Sequence, residues 1–591
     1  MKKLALAVIF SCALTANSHN ALALLPADSA KANHNRLSND HELGKKIDDY
    51  LTRITGFGYS GAMLVAKDGK IILRKGYGFA DREKKILNTP ETVFDIGSLS
   101  KQFTATAILK LEMAGKLKVT DPVSKYLPDV PADKAKITIH QILSHTSGLV
   151  RDFNMPHEVT RDQVVEHTLA APLLFEPGSR FEYSNMGYSL LAAVVELVSG
   201  VPFRQYLKKN LFLPADMQST GFWGNLAPPV KPELIARSYD DFARAGWPLD
   251  WSGTTWKHLG ASGVTSTVVD LYKWQLALKG EGVLSREARE KMWRTILNNY
   301  GYGWNIEKTP RGTTVIWHGG DSDGFGSILS WYGDENVVMI GLCNVRHDWY
   351  PTRIKADEIV PKIIFGENYI APPAFIAADP KMLKRVVGTY QLASGAKLIV
   401  RMEEGQLEIG AKGQDAVDIL READEKELQR RAHLTATTKN ILNAYLAGDM
   451  TPLNEVGASD PDFQKAIGDE IKELGQGKGA LKSFDVLGTC EAGQYSPKVH
   501  NTIVQLNYEN GHGYYKFRWT PKILQGTYVK SATLSAVTPL QAQSASSFVG
   551  WNIMSWKPTN GFRVSFKLVG GAVTELSLHR DKQQWSARRV N

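Results

Sequence analysis

The sequence has almost no cysteine. Three occur in 591 residues, at Cys12, Cys343 and Cys490. That is too few for a disulfide framework, and none sits at metal-ligand spacing. Cys12 falls in the leader described below, which leaves two free thiols. Runs of one charge are missing too. The net charge of +9 is spread thinly, with no lysine–arginine run and no arginine–aromatic repeat. A solvated basic surface is therefore read in place of a nucleic-acid partner. Beyond the leader, no segment reaches the ~18 unbroken apolar residues of a membrane span, and no repeat of solenoid length is present. What remains is an ordinary globular composition, 43% hydrophobic and 22% charged, on a chain too long for one core.

The first residues read as a secretory signal peptide, 1–23. Lys2 and Lys3 form a charged start, an apolar run follows to Ala16, and Ala21-Leu22-Ala23 offers small residues for cleavage. Phe10 fits a lipoprotein box poorly, so Cys12 is not read as a lipid anchor. The mature chain is expected to be exported, periplasmic or extracellular, and soluble.

After a polar leader, "NHNRLSNDHELG", the first structural unit is read as a hairpin, with Asp68-Gly69 as a type I′ turn between two β-rich runs. Phe103, Ala107, Ile108 and Leu111 then recur at helical spacing up to Gly115. Thr138 and Gln141 stand in capping-box register before a further helix. From Thr313 to Asn344 the pattern returns to strands and turns. Strands at both ends with helices between them predict a mixed α/β domain, an antiparallel sheet flanked by helices. It is placed at 41–368 and ends at a proline- and alanine-rich joint, "NYIAPPAFIAADP". Beyond lie short strands over 376–431, the charge run "READEKELQRR" read as a solvated helix or connector, and two helical patterns. Hairpins follow, read across Asn510-Gly511 and Gly570-Gly571.

The chemistry centres on "DIGSLSKQF". Ser98 and Lys101 stand one helical turn apart where a helix begins, so the amine can reach the hydroxyl. A serine hydroxyl is a poor nucleophile until a base removes its proton, and a free lysine with a pKa near 10.4 is a cation at neutral pH. Burial and the positive end of the helix dipole both push the lysine toward its neutral form. The same helix start presents the amide of Ser98 as an oxyanion donor. A second such pair, Ser394 and Lys397, falls in a strand turn where nothing aligns the two side chains. Further along come Tyr183-Ser184-Asn185 and, at a strand end, His318-Gly319-Gly320. Tyr508-Glu509-Asn510 repeats the tyrosine pattern inside a hairpin and is set aside. His145 is read as structural, with the neighbouring serine and threonine hydroxyls as its partners. Asp321-Ser322-Asp323-Gly324 lacks the later glutamate of a calcium loop and is read as a turn.

Serine–x–x–lysine, tyrosine–x–asparagine and a strand-end triad, in that order, resemble the serine β-lactamase and penicillin-binding-protein superfamily. The likeness is to its class C β-lactamase, D-alanyl carboxypeptidase, D-aminopeptidase and esterase branch. "ILSHTSGL", "FEPGSRFEYSNMGY" and "GASGVTSTVVDLYKW" agree with it. The resemblance implies that Ser98 is acylated, that Lys101 is its base or proton relay, and that Tyr183 shuttles the proton. It also implies that Asn185 holds the Lys101 amine or the substrate amide, and that Asp321 donates its backbone amide to the oxyanion. Where β-lactamases have lysine-threonine-glycine to bind a carboxylate, this chain has His318-Gly319-Gly320, which weakens carboxylate recognition and favours esterase or D-aminopeptidase chemistry over β-lactamase chemistry.

The expected protein is an exported serine hydrolase acting through a Ser98 acyl-enzyme on a small-molecule ester or D-residue peptide, with no cofactor and no metal. The alternative is a catalytically silent relative that binds cell-wall fragments or a partner. The strands over 376–431 look like a lipocalin-like barrel, and 432–591 looks like a nuclear-transport-factor-like α+β region. In a second arrangement the last strands, 545–591, complete the barrel and the nuclear-transport-factor-like region is an insertion. These β-rich domains are read as shaping the cleft mouth or mediating assembly, which leaves a homo-oligomer open.

Overall fold

A computed structural model describes residues 27–152, 159–223, 230–240, 255–322, 324–346, 352–372, 379–403, 406–421, 423–449, 451–452, 461–491, 499–519, 524–529, 535–542, 544, 547–550 and 562–590. The expected leader, Cys12, Asp323 and part of the proline-rich joint lie outside these residues. Cys343 and Cys490 are buried free thiols. Among the described residues no single helix is long and apolar enough to cross a membrane.

The polar segment before the hairpin is part of a helix, α1 (Ala27–Thr55), which corrects the expectation that the hairpin is the first structural unit. Ile47, Tyr50, Leu51 and Ile54 recur at helical spacing inside an otherwise polar stretch, and all four are buried. The hairpin follows as β1 (Gly61–Lys67) and β2 (Lys70–Tyr77). Asp68 and Gly69 have φ of 51° and 75°, the two left-handed residues that a type I′ turn requires.

Two helices carry the centre of the domain, α2 (Ser100–Met113) and α3 (Asn185–Ser199). The sheet is completed by β3 (Asn305–Lys308), β4 (Thr314–Asp321), β5 (Gly326–Tyr332) and β6 (Val337–Cys343). Its order is β2-β1-β6-β5-β4-β3, antiparallel at every pairing. Alternation along the central strands divides their side chains between two cores. Val338, Ile340 and Leu342 of β6 join Ala62 and Leu64 of β1 beneath α2 and α3. Val337, Met339 and Cys343 join Met63 and Val65 against α1 and α4 (Thr352–Ile364). A sheet covered on both faces needs such uninterrupted apolar strands, which is why β6 reads VVMIGLC.

Past the joint, eight strands close into a barrel. They are β7 (Gly388–Gln391), β8 (Lys397–Glu403) and β9 (Gln406–Lys412), then β14 to β18 after an inserted module. The module starts with α5 (Gln414–Leu420), α6 (Glu425–Leu446) and α7 (Pro461–Leu474). Its four-stranded sheet is β10 (Leu481–Glu491), β11 (His500–Tyr508), β12 (Gly511–Trp519) and β13 (Leu524–Val529). The barrel resumes as β14 (Ser535–Ala542), β15 (Ser547–Gly550), β16 (Phe562–Val569), β17 (Ala572–Arg580) and β18 (Gln583–Arg589). The β11–β12 turn is Glu509-Asn510, one residue before the expected position, because Tyr508 pairs with Gly511. Barrel side chains such as Leu398, Ile409, Val564 and Leu576 belong to the same apolar cluster as the α1 face of the six-stranded sheet.

The charge run is not a solvated connector throughout. Its last residue, Arg431 on α6, has a fully buried side chain. The guanidinium donates to Asp418 of α5 at 3.0 Å, Glu427 at 3.0 Å and Glu491 of β10 at 2.8 Å. One cation thus ties the helix behind the barrel to the inserted sheet. Removing one partner of a buried ion network leaves the others desolvated and unpaired, at a cost of about 3–5 kcal/mol. Arg431→Met is accordingly expected to lower the urea midpoint followed by far-UV circular dichroism. An unchanged midpoint would show that Arg431 does not hold the module in place.

Candidate active site

Ser98 sits on a single 3-10 turn, Gly97–Leu99, that feeds directly into α2. Three hydrogen bonds fasten this turn. The Gly97 amide donates to Asp95 Oδ1 at 2.9 Å, Ser100 Oγ to the Gly97 carbonyl at 2.7 Å, and Ser327 Oγ to the Ile96 carbonyl at 2.8 Å. The end of β4 packs against it. A Cβ on Gly320 would lie 2.1 Å from the Ile96 oxygen and 2.9 Å from the Ser98 nitrogen, so only glycine allows this approach. Gly319 has no such constraint, because a Cβ there would meet nothing nearer than 3.6 Å. Gly97, at φ +50°, faces the backbone of Asp321, whose nitrogen would be 2.9 Å from a Cβ at that position. The amides of Ser98 and Asp321 therefore belong to two segments in direct contact.

Lys101 is fully buried, and its Nζ has three neighbours: Asn185 Oδ1 at 2.7 Å, the Ala261 carbonyl at 2.9 Å and Ser98 Oγ at 3.1 Å. Burial holds its pKa well below the usual lysine value. In the neutral amine, two N–H bonds and one lone pair must be shared among the three contacts. Two of the neighbours are carbonyl oxygens, which only accept. They take the N–H bonds, and the lone pair is left for the serine hydroxyl.

Asn185 opens α3, behind the N-cap Ser184, whose Oγ accepts from the Gly187 amide at 2.9 Å. Tyr183 precedes the cap. Its ring centroid lies 4.7 Å from Lys101 Nζ, and its phenol lies close enough to Ser98 for the serine to act on its pKa. Burial raises the phenol pKa, with the Ser98 hydroxyl opposing, so the hydroxyl keeps its proton. The structure thus brings Ser98, Lys101, Tyr183 and Asn185 together.

His318 stands in the pocket wall with its ring 6.4 Å from that of Tyr183, but both of its nitrogens are engaged elsewhere. Nδ1 lies 2.6 Å from the Gly319 carbonyl, which fixes the proton on Nδ1, so Nε2 accepts from the Tyr300 hydroxyl at 3.0 Å. Burial, reinforced by Lys101, pushes its pKa down to about 3.

His145 is structural, with partners other than those expected. Its backbone is left-handed at φ +57°, and the ring turns inward, 4.2 Å from Tyr183, 4.8 Å from Tyr300 and 5.0 Å from Tyr188. Nδ1 accepts from the Ser184 amide at 3.0 Å, and the His145 carbonyl accepts from Glu182 at 2.9 Å. Meanwhile the Ser144 and Thr146 hydroxyls bond to each other at 3.0 Å. His145 thereby pins the backbone on both sides of Tyr183.

Several participants do not stand out in the sequence. Ala261, inside "GASGVTSTVVDLYKW", contributes a backbone oxygen and no side chain. Tyr300 joins the pocket from a turn remote in sequence, and Asp152 contacts Asn185 from the end of an unremarkable loop. Among the described residues, no group of histidine, cysteine, aspartate and glutamate side chains could hold a metal ion.

The "Beta-lactamase" family model matches residues 54–358. Penicillin-binding protein 4* of Bacillus subtilis is 30% identical over 391 residues, covering 60% of this chain and 84% of its own length. The putative penicillin-binding protein PbpX of the same organism is 31% identical over 311 residues, covering 51% and 74% respectively. Among solved structures, the penicillin binding protein from Bacillus halodurans is 28% identical, covering 52% of this chain and 99% of its own, with a TM-score of 0.45.

The buried imidazole has a thermodynamic signature. Unfolded, His318 binds a proton below about pH 6.5, whereas the native side chain does so only below about 3. The unfolded state holds the extra proton in that interval, so stability falls with acid across it by about 1.4 kcal/mol per pH unit. Unfolding free energies measured across that interval should show a shallower acid dependence in His318→Gln than in the wild type. Parallel curves would mean that the native imidazole titrates normally.

Proposed function

The chain belongs to the beta-lactamase family of serine hydrolases, and from that premise we propose that it hydrolyses esters or D-residue-containing peptides through an acyl-enzyme on Ser98. The observation that carries this reading is the lysine geometry. The Nζ of Lys101 stands 3.1 Å from Ser98 Oγ, with its N–H bonds committed to Asn185 and Ala261. A lone pair directed at the hydroxyl, on an amine whose pKa is lowered by burial, is what a general base for serine needs at neutral pH.

In the proposed reaction Ser98 Oγ attacks the substrate carbonyl as its proton passes to Lys101. The carbonyl oxygen, now negative, is held by the amides of Ser98 and Asp321. The proton then passes through Tyr183 to the departing alcohol or amine, the bond between the carbonyl carbon and that leaving group breaks, the C=O re-forms, and the acyl group stays on Ser98. Water gives its proton through Tyr183 to Lys101 as it attacks the acyl carbon, the bond from that carbon to Ser98 Oγ breaks, and Oγ takes the proton back from Lys101. The first of these transfers runs between Ser98 Oγ and Lys101 Nζ, 3.1 Å apart, with the Tyr183 ring beside the amine.

The substrate preference follows from His318. A neutral imidazole with both nitrogens occupied offers no cation for a carboxylate on the strand side, and Gly319 offers no hydroxyl. Esters and D-aminoacyl amides should therefore exceed β-lactams as substrates. The similar proteins named penicillin-binding supply a second reading, in which the pocket binds such ligands without turnover. Export of the mature protein remains part of the proposal, on the strength of the N-terminal residues.

Purified protein and its Ser98→Ala variant would be assayed on a short-chain p-nitrophenyl ester, D-alanine p-nitroanilide and a chromogenic cephalosporin. Turnover of the ester or anilide should exceed that of the cephalosporin, and fall on the order of 10⁶-fold in the variant. Equal rates in the two proteins, or none on any substrate, would favour the binding reading.

A further inference from the structure

The contacts to Asn185 continue past the groups used above. Its Nδ2 donates to Asp152 Oδ1 at 2.9 Å while its Oδ1 accepts from Lys101. Asp152 is the last described residue before a short undescribed segment, and its side chain is half exposed. The Arg151 carbonyl accepts from the Asn185 amide at 3.0 Å, so the same two-residue corner holds both the backbone and the side chain of Asn185. The Arg151 guanidinium lies 5.5 Å from the ring of Tyr183, with Nε 3.5 Å from Asp152 Oδ2.

An asparagine side chain can present either end to a neighbour. If Asn185 turned its Nδ2 toward Lys101, an N–H would point at the amine and draw the lone pair away from Ser98. The base would be occupied by its own support. A carboxylate prevents this in a way that an amide or hydroxyl does not, because an ionised aspartate only accepts hydrogen bonds and can meet only the Nδ2 end of Asn185.

Electrostatics adds a second effect at the same place. The groups facing Lys101 are His145, His318, Tyr183, Tyr188, Arg151 and Asp152. Burial keeps both imidazoles and both phenols uncharged. Arg151 and Asp152 are left as the charges that the lysine feels, the guanidinium disfavouring its cation and the carboxylate favouring it.

Resting on the serine-hydrolase reading above, we propose that Asp152 is a positioning residue for the Ser98–Lys101 pair, holding the Asn185 amide in the one orientation that presents Oδ1 to the lysine, and that Arg151 and Asp152 act in opposite senses on the charge of Lys101. Neither residue touches the reacting atoms. Both act through Asn185 or through space.

The test follows the rate at which a fluorophosphonate labels Ser98, measured against pH in the full-length protein and three variants. Asp152→Ala removes the buttress and should lower the alkaline plateau about tenfold or more, since small misplacements of a catalytic group cost that much. Asp152→Asn keeps an acceptor without enforcing its orientation and should recover part of that loss. The acid limb, where Lys101 becomes protonated, should move to lower pH in Asp152→Asn, whose lysine has lost a stabilising anion. It should move to higher pH in Arg151→Gln, whose lysine has lost a repelling cation. Limbs that coincide with the wild type, or that move in the same direction, would overturn the proposal, as would a wild-type plateau in Asp152→Ala. Absence of Ser98-dependent labelling in the wild type itself would remove the hydrolase reading as well, so the two failures are told apart.

Discussion

A buried amine is the constraint around which this domain is built. Placing Lys101 out of reach of water is unfavourable for the ammonium form, which lowers its pKa, and the protein offsets the cost of burial by supplying acceptors for its N–H bonds. One acceptor comes from the first turn of α3 and the other from the backbone at Ala261. The segment carrying Ala261 is itself fastened to α2, since Thr104 Oγ1 donates to the Gly260 carbonyl at 2.7 Å and the Val264 amide donates to Ser100 Oγ at 3.2 Å. Three stretches of chain distant in sequence therefore converge on one nitrogen. The polar residues inside α2 follow from the same demand. Ser100, Gln102 and Thr104 are as buried as the leucines beside them, and each makes a hydrogen bond to another segment or to the turn that carries Ser98.

The second requirement is close approach of two backbones, and here side chains matter by their absence. The Ser98 turn and the end of β4 touch so tightly that Gly97 and Gly320 have no room for a Cβ. Polar hydrogen-bond donors on adjoining backbone segments can then converge on one oxygen without any charged side chain. His318 lies next to this contact as a neutral, doubly bonded ring. The pocket differs in this from one built to grip an anion, and the difference was visible in the sequence only as an exchange of residue types.

Legibility from sequence followed the range of the interactions. The Ser98–Lys101 pair lies within one helical turn, the Asp68-Gly69 turn within two residues and the Thr138–Gln141 capping box within four, and all three are present. The mixed α/β architecture was legible because period-2 and period-3.6 patterns are local too. What escaped depended on tertiary position. The amphipathic face of α1 was hidden in a polar segment whose few apolar residues gain meaning only against the sheet. Arg431 looked solvated because charge runs usually are, and its burial depends on carboxylates 13 residues before it, Asp418, and 60 residues after it, Glu491. The ring partners of His145 and the carbonyl of Ala261 had no side-chain pattern to announce them.

The arrangement around Lys101 also bears on why a buried amine suits this chemistry. In the proposed acylation the lysine is neutral at rest and becomes an ammonium only as the serine proton arrives. At that moment the contacts to Asn185 Oδ1 and the Ala261 carbonyl change from ordinary hydrogen bonds to charge-assisted ones, which are roughly twice as strong. The faces of the Tyr183 and Tyr188 rings, 4.7 and 5.6 Å away, gain cation–π attraction at the same step. None of these interactions is at full strength in the resting enzyme, so they favour the transition state over the ground state, which is the condition for raising the rate and not merely the affinity. A lysine already charged and paired would have spent them before the reaction began.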